Sequence, residues 1–175
     1  LEVRQPILTN EDLEKIRCIG HFEDSFDTKT LDITYKIERG AEAMEDMIER
    51  LCNRAEEAVK GGYNIIILSD RMVGPDRAPI PALLATAAVH HHLIREGTRT
   101  CVGLVLESGE PREVHHFALL IGYGAGADNP YLAYETLDDM IRMGMLKDID
   151  HKKAVKNYTK AVAKSIVKTM AKMGI

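Results

Sequence analysis

Apolar residues recur every three or four positions in several stretches of the chain, and this spacing predicts amphipathic helices. The clearest stretch spans residues 41–59 and ends at the pair Gly61-Gly62, a typical helix stop. Another follows Pro81 and is closed by Gly97. In chain order, the predicted helices are a short one opened by a Thr9–Asp12 capping box, then residues 41–59, 82–95, 112–121, 131–144 and 151–173.

Between these helices lie short runs with the character of β-strands. Residues 64–68 are apolar on both faces, as in a strand that is covered on each side. Residues 100–106 alternate, residues 125–128 are a brief extended piece, and residues 21–35 predict a loop and one strand. Strands that alternate with helices predict an α/β fold with parallel strands and right-handed crossovers.

Composition narrows the class of protein. The 175 residues are 45% hydrophobic and 29% charged, which predicts one globular domain. A net charge of −4 argues against binding to nucleic acid.

Cys18, Cys52 and Cys101 lack the spacing of a zinc site or a disulfide framework, which favours a reducing cytoplasm. Prolines and histidines interrupt the longest uncharged stretch, residues 78–94, so no membrane span is predicted. Because residue 1 is Leu, we expect a piece of a longer chain.

Two polar clusters follow predicted strands directly, where open sheets and barrels hold ligands. They are Ser69-Asp70-Arg71 and Glu107-Ser108-Gly109. Their acid, guanidinium and hydroxyl groups suit a polar ligand. The competing interpretation, which we favour, is that Asp70 and Arg71 pair with each other to hold the loop.

Glycines and histidines suggest two further sites, and both are weak. Residues 122–127 match a loose dinucleotide motif, G-x-G-x-x-A, but the preceding residues predict a helix rather than a strand. A tight helix-to-strand connection with positive φ is the favoured alternative. The runs His90-His91-His92 and His115-His116 lack metal-ligand spacing, so packed or capping histidines are favoured over a metal site.

The last predicted helix, residues 151–173, carries seven lysines and no acidic residue. Six of these lysines are spaced four apart, so neighbouring like charges weaken the helix in isolation. A solvated face is the simple interpretation. A contact with an acidic neighbour is the alternative.

Several of these segments closely resemble the central domain of the glutamate synthase large subunit. They are ILSDR (67–71), IPALLA (80–85), VHHHLIR (89–95), ESGEPREVHHFA (107–118), GYGA (122–125) and NPYLA (129–133). Residues 5–9 and 158–175 match more loosely. The resemblance implies that residues 1–175 are one domain, the C-terminal portion of the central domain, with residues 158–175 approaching the start of the FMN-binding synthase domain.

The family's activity, as the resemblance implies it, makes two glutamates from glutamine and 2-oxoglutarate, with electrons that reach FMN from NAD(P)H or ferredoxin. The catalytic cysteine, the FMN site and the iron–sulfur cysteines belong to other domains, so no catalytic residue, cofactor or metal is expected here. The implied partners are the neighbouring amidotransferase and synthase domains in a cytoplasmic enzyme, and a homo-oligomer is possible. The implied role is to hold those domains together and to help wall the ammonia route.

The resemblance also implies a partial (β/α) barrel-like fold related to the family's flavin-binding domain. Glu107 and Glu110 would place negative charge where a flavin phosphate needs amides and cations, which predicts a cofactor-free relative of that domain. The residues expected at a ligand site or an interdomain contact are Ser69, Asp70, Arg71, Glu107, Arg112 and Gly124. The alternative is a stand-alone module that binds a small anion or a nucleotide, with Ser69, Arg71 and Arg112 as the anion's ligands.

Overall fold

A computed structural model describes residue 3 and residues 5–175 of the chain. Its main sheet has four strands in the order β1-β3-β5-β6, all of them parallel, and β2 and β4 form a small antiparallel pair. The strands are β1 (Thr28–Asp32), β2 (Thr34–Lys36), β3 (Ile65–Ser69), β4 (Arg77–Pro79), β5 (Gly103–Glu107) and β6 (Ala127–Asn129). The helices are α1 (Asn10–Arg17), α2 (Gly40–Lys60), α3 (Ala82–Arg95), α4 (Val114–Gly122), α5 (Tyr131–Arg142) and α6 (His151–Met173).

The three helices that connect strands of the main sheet pack on one face of it. Leu51 of α2, Val89 of α3 and Leu120 of α4 belong to a single core cluster with Leu68 and Leu106 of the sheet. Neighbouring strands that follow one another along the chain, with their crossover helices on the same face, are the arrangement of a (β/α) barrel. The predicted α/β class with a partial barrel-like architecture is therefore confirmed. The relationship to a flavin-binding domain remains a prediction.

The other face of the sheet is covered by α1. Leu13 and Ile16 of this helix pack against Ile65, Ile67 and Val105, which alternate in direction with the side chains on the first face. Because helices cover both faces, all five residues of β3 are buried. This explains why that strand is continuously apolar.

The N-terminal segment extends the sheet beyond β6. Ile7 forms a parallel bridge with Asp128, and the amide of Leu8 donates to the carbonyl of Asp128 at 2.8 Å. Ile7 then joins Phe117 of α4 and Val162 of α6 in a separate core cluster. The C-terminal helix is thereby fixed beside the edge of the sheet.

The predicted helices are confirmed, and the ranges 82–95 and 151–173 agree with α3 and α6 to the residue. The predicted strands need correction at three places. The range 100–106 starts too early, because residues 99–101 form a 3-10 turn before β5. Residues 21–35 include β1 and the start of β2, where only one strand was predicted, and β4 lies between residues 68 and 82, where no strand was predicted.

Within the part of the chain that the structure describes, none of the helices combines the length and the apolar character needed to cross a membrane. The longest, α6, has 23 residues but carries lysines along its whole length.

Candidate functional site

The carboxyl ends of the parallel strands bring the two predicted polar clusters together. In the strand register, Ser69 pairs with Glu107 and Glu107 pairs with Asn129. The loops that follow β3 and β5 therefore meet at one edge, beside the first turn of α5. We call this region the carboxyl-edge cluster, and its core consists of Ser69, Asp70, Arg71, Glu107, Ser108 and Tyr131.

Asp70 accepts hydrogen bonds from three donors. The Ser108 hydroxyl donates to Oδ2 at 2.6 Å, the Gly109 amide donates to Oδ2 at 3.0 Å, and the Tyr131 hydroxyl donates to Oδ1 at 2.7 Å. The residue is only 3% exposed. Burial, with the hydrogen bond and charge of Asp70, raises the pKa of Tyr131. The phenol therefore stays protonated and acts as a donor to the carboxylate.

Glu107 is the second buried carboxylate of the cluster, with 4% exposure. Its Oε2 accepts from the Ser69 hydroxyl at 2.6 Å and from the Arg17 guanidinium at 2.9 Å, and its Oε1 accepts from Arg71 Nε at 3.3 Å. Burial lowers the pKa of Arg17, but the hydrogen bond and charge of Glu107, together with Glu14, outweigh this and raise it. Two guanidinium groups thus compensate the charge that the sequence placed at this edge.

Arg71 does not pair with Asp70, so the predicted contact between these neighbours is wrong. Its guanidinium reaches Glu107 and also donates to Glu135 at 2.9 Å, while its Cζ lies 3.7 Å from the centre of the Tyr131 ring. This geometry combines two ion pairs with a cation–π contact. Arg71 closes the cluster on its solvent side, because its own side chain is 39% exposed.

Glutamates lie at the N-termini of the two helices that begin at this edge. Glu110 Oε2 accepts from the Ala82 amide at 2.9 Å at the start of α3. Glu113 caps α4, and His116 Nδ1 accepts from the Glu113 amide in return at 3.3 Å. Helix N-termini are natural anion sites. Here the anions are the chain's own carboxylates, and His116 is a capping histidine, as the sequence predicted.

Arg112 and Gly124 lie outside the cluster. Arg112 is exposed, and its carbonyl accepts from the hydroxyl of Tyr158 on α6 at 2.8 Å. Gly124 precedes β6 and so lies at the opposite edge of the sheet, with φ of 114° and its carbonyl accepting from Arg99 at 2.8 Å. A Cβ at this position would overlap the ring of His90.

The glycine loop at residues 122–127 connects a helix to a strand. It follows α4 and leads into β6, whereas a dinucleotide site needs a strand before the loop and a helix after it. The favoured alternative, a tight connection with positive φ, is confirmed at Gly124.

One group of possible metal ligands lies between α2 and α3, and the sequence reasoning missed it. Donor atoms of Glu56, His92 and Glu96 lie within 4.8 Å of one another. His92 Nε2 is 3.0 Å from Glu56 Oε2, and the Lys60 ammonium also pairs with Glu56. The i,i+4 spacing of His92 and Glu96 was the available signal, but the third residue comes from another helix. His92 and Lys60 therefore already serve as partners of the Glu56 carboxylate.

The sequence reasoning also missed Arg17 and the role of Tyr131. Arg17 ends a helix 90 positions before its partner Glu107, so no local pattern connects them. Tyr131 was visible as part of a motif, but its hydrogen bond to Asp70 is a tertiary contact.

Comparison with known proteins agrees with the resemblance that the sequence motifs carry. All residues from 1 to 175 match the family model described as glutamate synthase central domain. The chain belongs to the glutamate synthase central-domain family.

Long proteins that contain the domain are similar to this chain over its whole length. The large chain of NADPH glutamate synthase from Bacillus subtilis is 42% identical over 175 residues, which is 100% of this chain and 11% of that protein. The NADH glutamate synthase of Schizosaccharomyces pombe is 40% identical over 100% of this chain and 8% of its own length. The ferredoxin-dependent enzyme of Pyropia yezoensis is 34% identical over 100% of this chain and 12% of its own length. The chain therefore spans about a tenth of these relatives.

Proposed function

We propose that this chain is a non-catalytic coupling domain of a glutamate synthase. In this role it holds the amidotransferase and synthase domains in register and helps to wall the route that ammonia takes between them. The family match supports the placement in such an enzyme. The carboxyl-edge cluster carries the proposal of a non-catalytic role.

The two buried carboxylates of the carboxyl-edge cluster are already engaged in hydrogen bonds with other groups of the chain. A general base or nucleophile needs a group that is free to receive a proton or attack a substrate. Both oxygens of Asp70 and both oxygens of Glu107 accept hydrogen bonds from the chain itself. Such an arrangement favours a rigid structural edge over a reacting centre.

The same edge supports the proposal that this chain binds no FMN of its own. A flavin phosphate in a (β/α) barrel is held by backbone amides at helix N-termini. The carboxylate of Glu110 holds the first amide of α3, and Glu113 caps α4. A phosphate dianion there would have to displace carboxylates and would be repelled by them. FMN that copurifies at a stoichiometric amount with the 175-residue chain would refute this part.

The proposal is tested in a chimera in which this chain replaces the matching segment of the Bacillus subtilis large chain. Asp70→Ala opens the carboxyl-edge cluster, and Asp24→Ala, at an exposed position, is the matched control. The assays are glutamate formation with glutamine and with ammonia as the nitrogen source. We expect the unsubstituted chimera and the control to support both activities, and Asp70→Ala to lose glutamine-dependent activity while it retains ammonia-dependent activity.

Two results would overturn the coupling role. Glutamine-dependent activity that survives Asp70→Ala would show that this edge does not affect ammonia transfer. A parallel loss of both activities, in a chimera that remains folded and keeps its FMN, would place the cluster in a reacting centre instead.

The electron donor and the compartment are separate parts of the proposal. Relatives named for NADPH, NADH and ferredoxin are 42%, 40% and 34% identical to this chain, so the match favours none of the three donors strongly. We propose a cytoplasmic enzyme, because the three cysteines are free thiols and two of them, Cys18 and Cys101, are exposed.

A further inference from the structure

The seven lysines of α6 make the exposed side of this helix strongly cationic. All seven are exposed, and no carboxylate of residue 3 or residues 5–175 lies within ion-pair distance of any of them. The helix contains no acidic residue. Like charges four residues apart on a helix repel each other and are destabilising. An anionic surface against this face would remove that cost.

Four of the lysines line a groove of about 940 Å³ between α6 and the N-terminal segment. They are Lys152, Lys156, Lys160 and Lys164. The groove also contains Val155, Ala163 and Val167, and Val167 is 64% exposed. One carboxylate, that of Glu11, reaches the groove, but it already pairs with Lys15 at 2.7 Å. The groove therefore combines an apolar floor with a row of unpaired cations.

We propose that this groove receives an acidic amphipathic segment of the glutamate synthase large chain that lies outside these 175 residues. The segment would place apolar side chains on the valines and carboxylates beside the lysines. The inference rests on the proposed function in one respect, because the other domains of the enzyme must supply the segment. This chain covers 8–12% of the matched relatives, so about nine-tenths of their length lies outside it and could supply the segment.

Repulsion between lysines argues against a second copy of this chain as the partner that binds in the groove. A symmetric dimer through the groove would bring two lysine-rich helices face to face, and like charges suppress such an association. Nucleic acid would satisfy the lysines but not the apolar floor, and the chain as a whole carries a net charge of −4. An acidic protein segment satisfies both features of the surface.

The first experiment locates the segment directly. The chimera with the Bacillus subtilis large chain is treated with a carbodiimide, which joins lysine amines to carboxylates in contact, and its cross-linked peptides are identified by mass spectrometry. We expect links from Lys156, Lys160 and Lys164 to one acidic segment outside residues 1–175. We also expect loss of these links at high salt, which screens the ion pairs. Links from these lysines to carboxylates within residues 1–175 of a second copy, or no links from these lysines, would overturn the inference.

The second experiment does not depend on the folding of the chimera. An array of peptides that covers the rest of the Bacillus subtilis large chain is probed with the 175-residue chain, with K156E/K160E/K164E and with K153E/K168E/K172E. Both triple variants change the charge equally, but the second set of lysines lies outside the groove. We expect acidic peptides to capture the unsubstituted chain and the second variant, and the first variant to lose this binding. No capture, or equal loss in both variants, would contradict the inference.

The two proposals fail differently. If the cross-links form but glutamine-dependent activity survives Asp70→Ala, the docking groove stands and the coupling role falls. If coupling is lost in Asp70→Ala but the groove lysines form no links, the coupling role stands and the docking groove falls.

Discussion

Asp128 offers a sharp test of the physical account of this fold. It is fully buried in the middle of β6, and neither of its carboxylate oxygens has a hydrogen-bond partner among the described residues. Its backbone pairs with the N-terminal segment of the chain, because its amide donates to the carbonyl of Pro6 at 2.8 Å. In register it lies opposite Leu106, so its side chain points toward the face of the sheet that α2, α3 and α4 cover. The substitution Asp128→Asn removes the charge and keeps the shape.

The expected effect follows from the pKa of this group. Burial raises the pKa of Asp128 from 3.8 to about 8. Below pH 4 the carboxyl is protonated in both states and contributes no pH dependence. Between pH 4 and pH 8 the unfolded chain loses the proton and the folded chain keeps it, so the free energy of unfolding falls as pH rises. One unit of pKa shift corresponds to about 1.4 kcal/mol, which gives a loss of about 4 kcal/mol at pH 7.

Urea unfolding of the 175-residue chain at a series of pH values measures this loss. The difference in unfolding free energy between Asp128→Asn and the unsubstituted chain cancels the contribution of the other titrating groups. We expect the variant's advantage to increase from pH 4 to pH 8 and to reach several kcal/mol. Asp24→Asn, at an exposed position, is the control and should give a flat difference. A flat difference for Asp128→Asn as well would show that the carboxylate is solvated or paired.

Three further predictions concern residues at the two edges of the sheet. Gly124→Ala should cost about 3 kcal/mol or more in urea unfolding, because a Cβ there overlaps His90 and the backbone has positive φ; the added substitution His90→Ala should restore only part of the loss. Asp70→Ala should cost about 3 kcal/mol or more by the same measurement, since it leaves three donors without their acceptor, and Asp70→Asn should cost less. Glu110→Ala should lower the thermal midpoint by an amount equivalent to about 1 kcal/mol, the usual value of a lost helix cap, and Glu110→Gln should retain part of it.

Local patterns predicted the parts of this fold whose causes are local. The range of α3 followed from apolar residues between Pro81 and the stop at Gly97, and the range of α6 followed from its apolar periodicity alone. Strands β2 and β4 were beyond this reasoning, because each has three residues and exists only through its pairing with the other. The proline at the end of β4 also predicts a loop.

The candidate site was predicted by position but not by contact. The rule that ligands meet the carboxyl ends of parallel strands selected Asp70 and Glu107, and both lie in one cluster. Which groups neutralise them depends on distant parts of the chain, as Arg17 illustrates. Adjacency in sequence favoured a pair between Asp70 and Arg71, but tertiary packing offered each of them better partners. No local sequence pattern predicts that Asp128 is buried, because a polar residue in a three-residue strand is expected at an exposed edge of a sheet.

The distribution of unsatisfied charge indicates where this domain makes its contacts. At the carboxyl edge of the sheet, buried carboxylates are matched by hydroxyls, an amide and two guanidinium groups, so a ligand there would have to break existing bonds. On α6 the reverse holds, because exposed ammonium groups lie above apolar side chains with no carboxylate of their own helix beside them. Binding energy is available where groups gain partners on association and is small where they exchange one partner for another. The outer groove is therefore the surface where contact with the rest of a glutamate synthase should release the most binding energy, while the mouth of the partial barrel contributes a rigid edge.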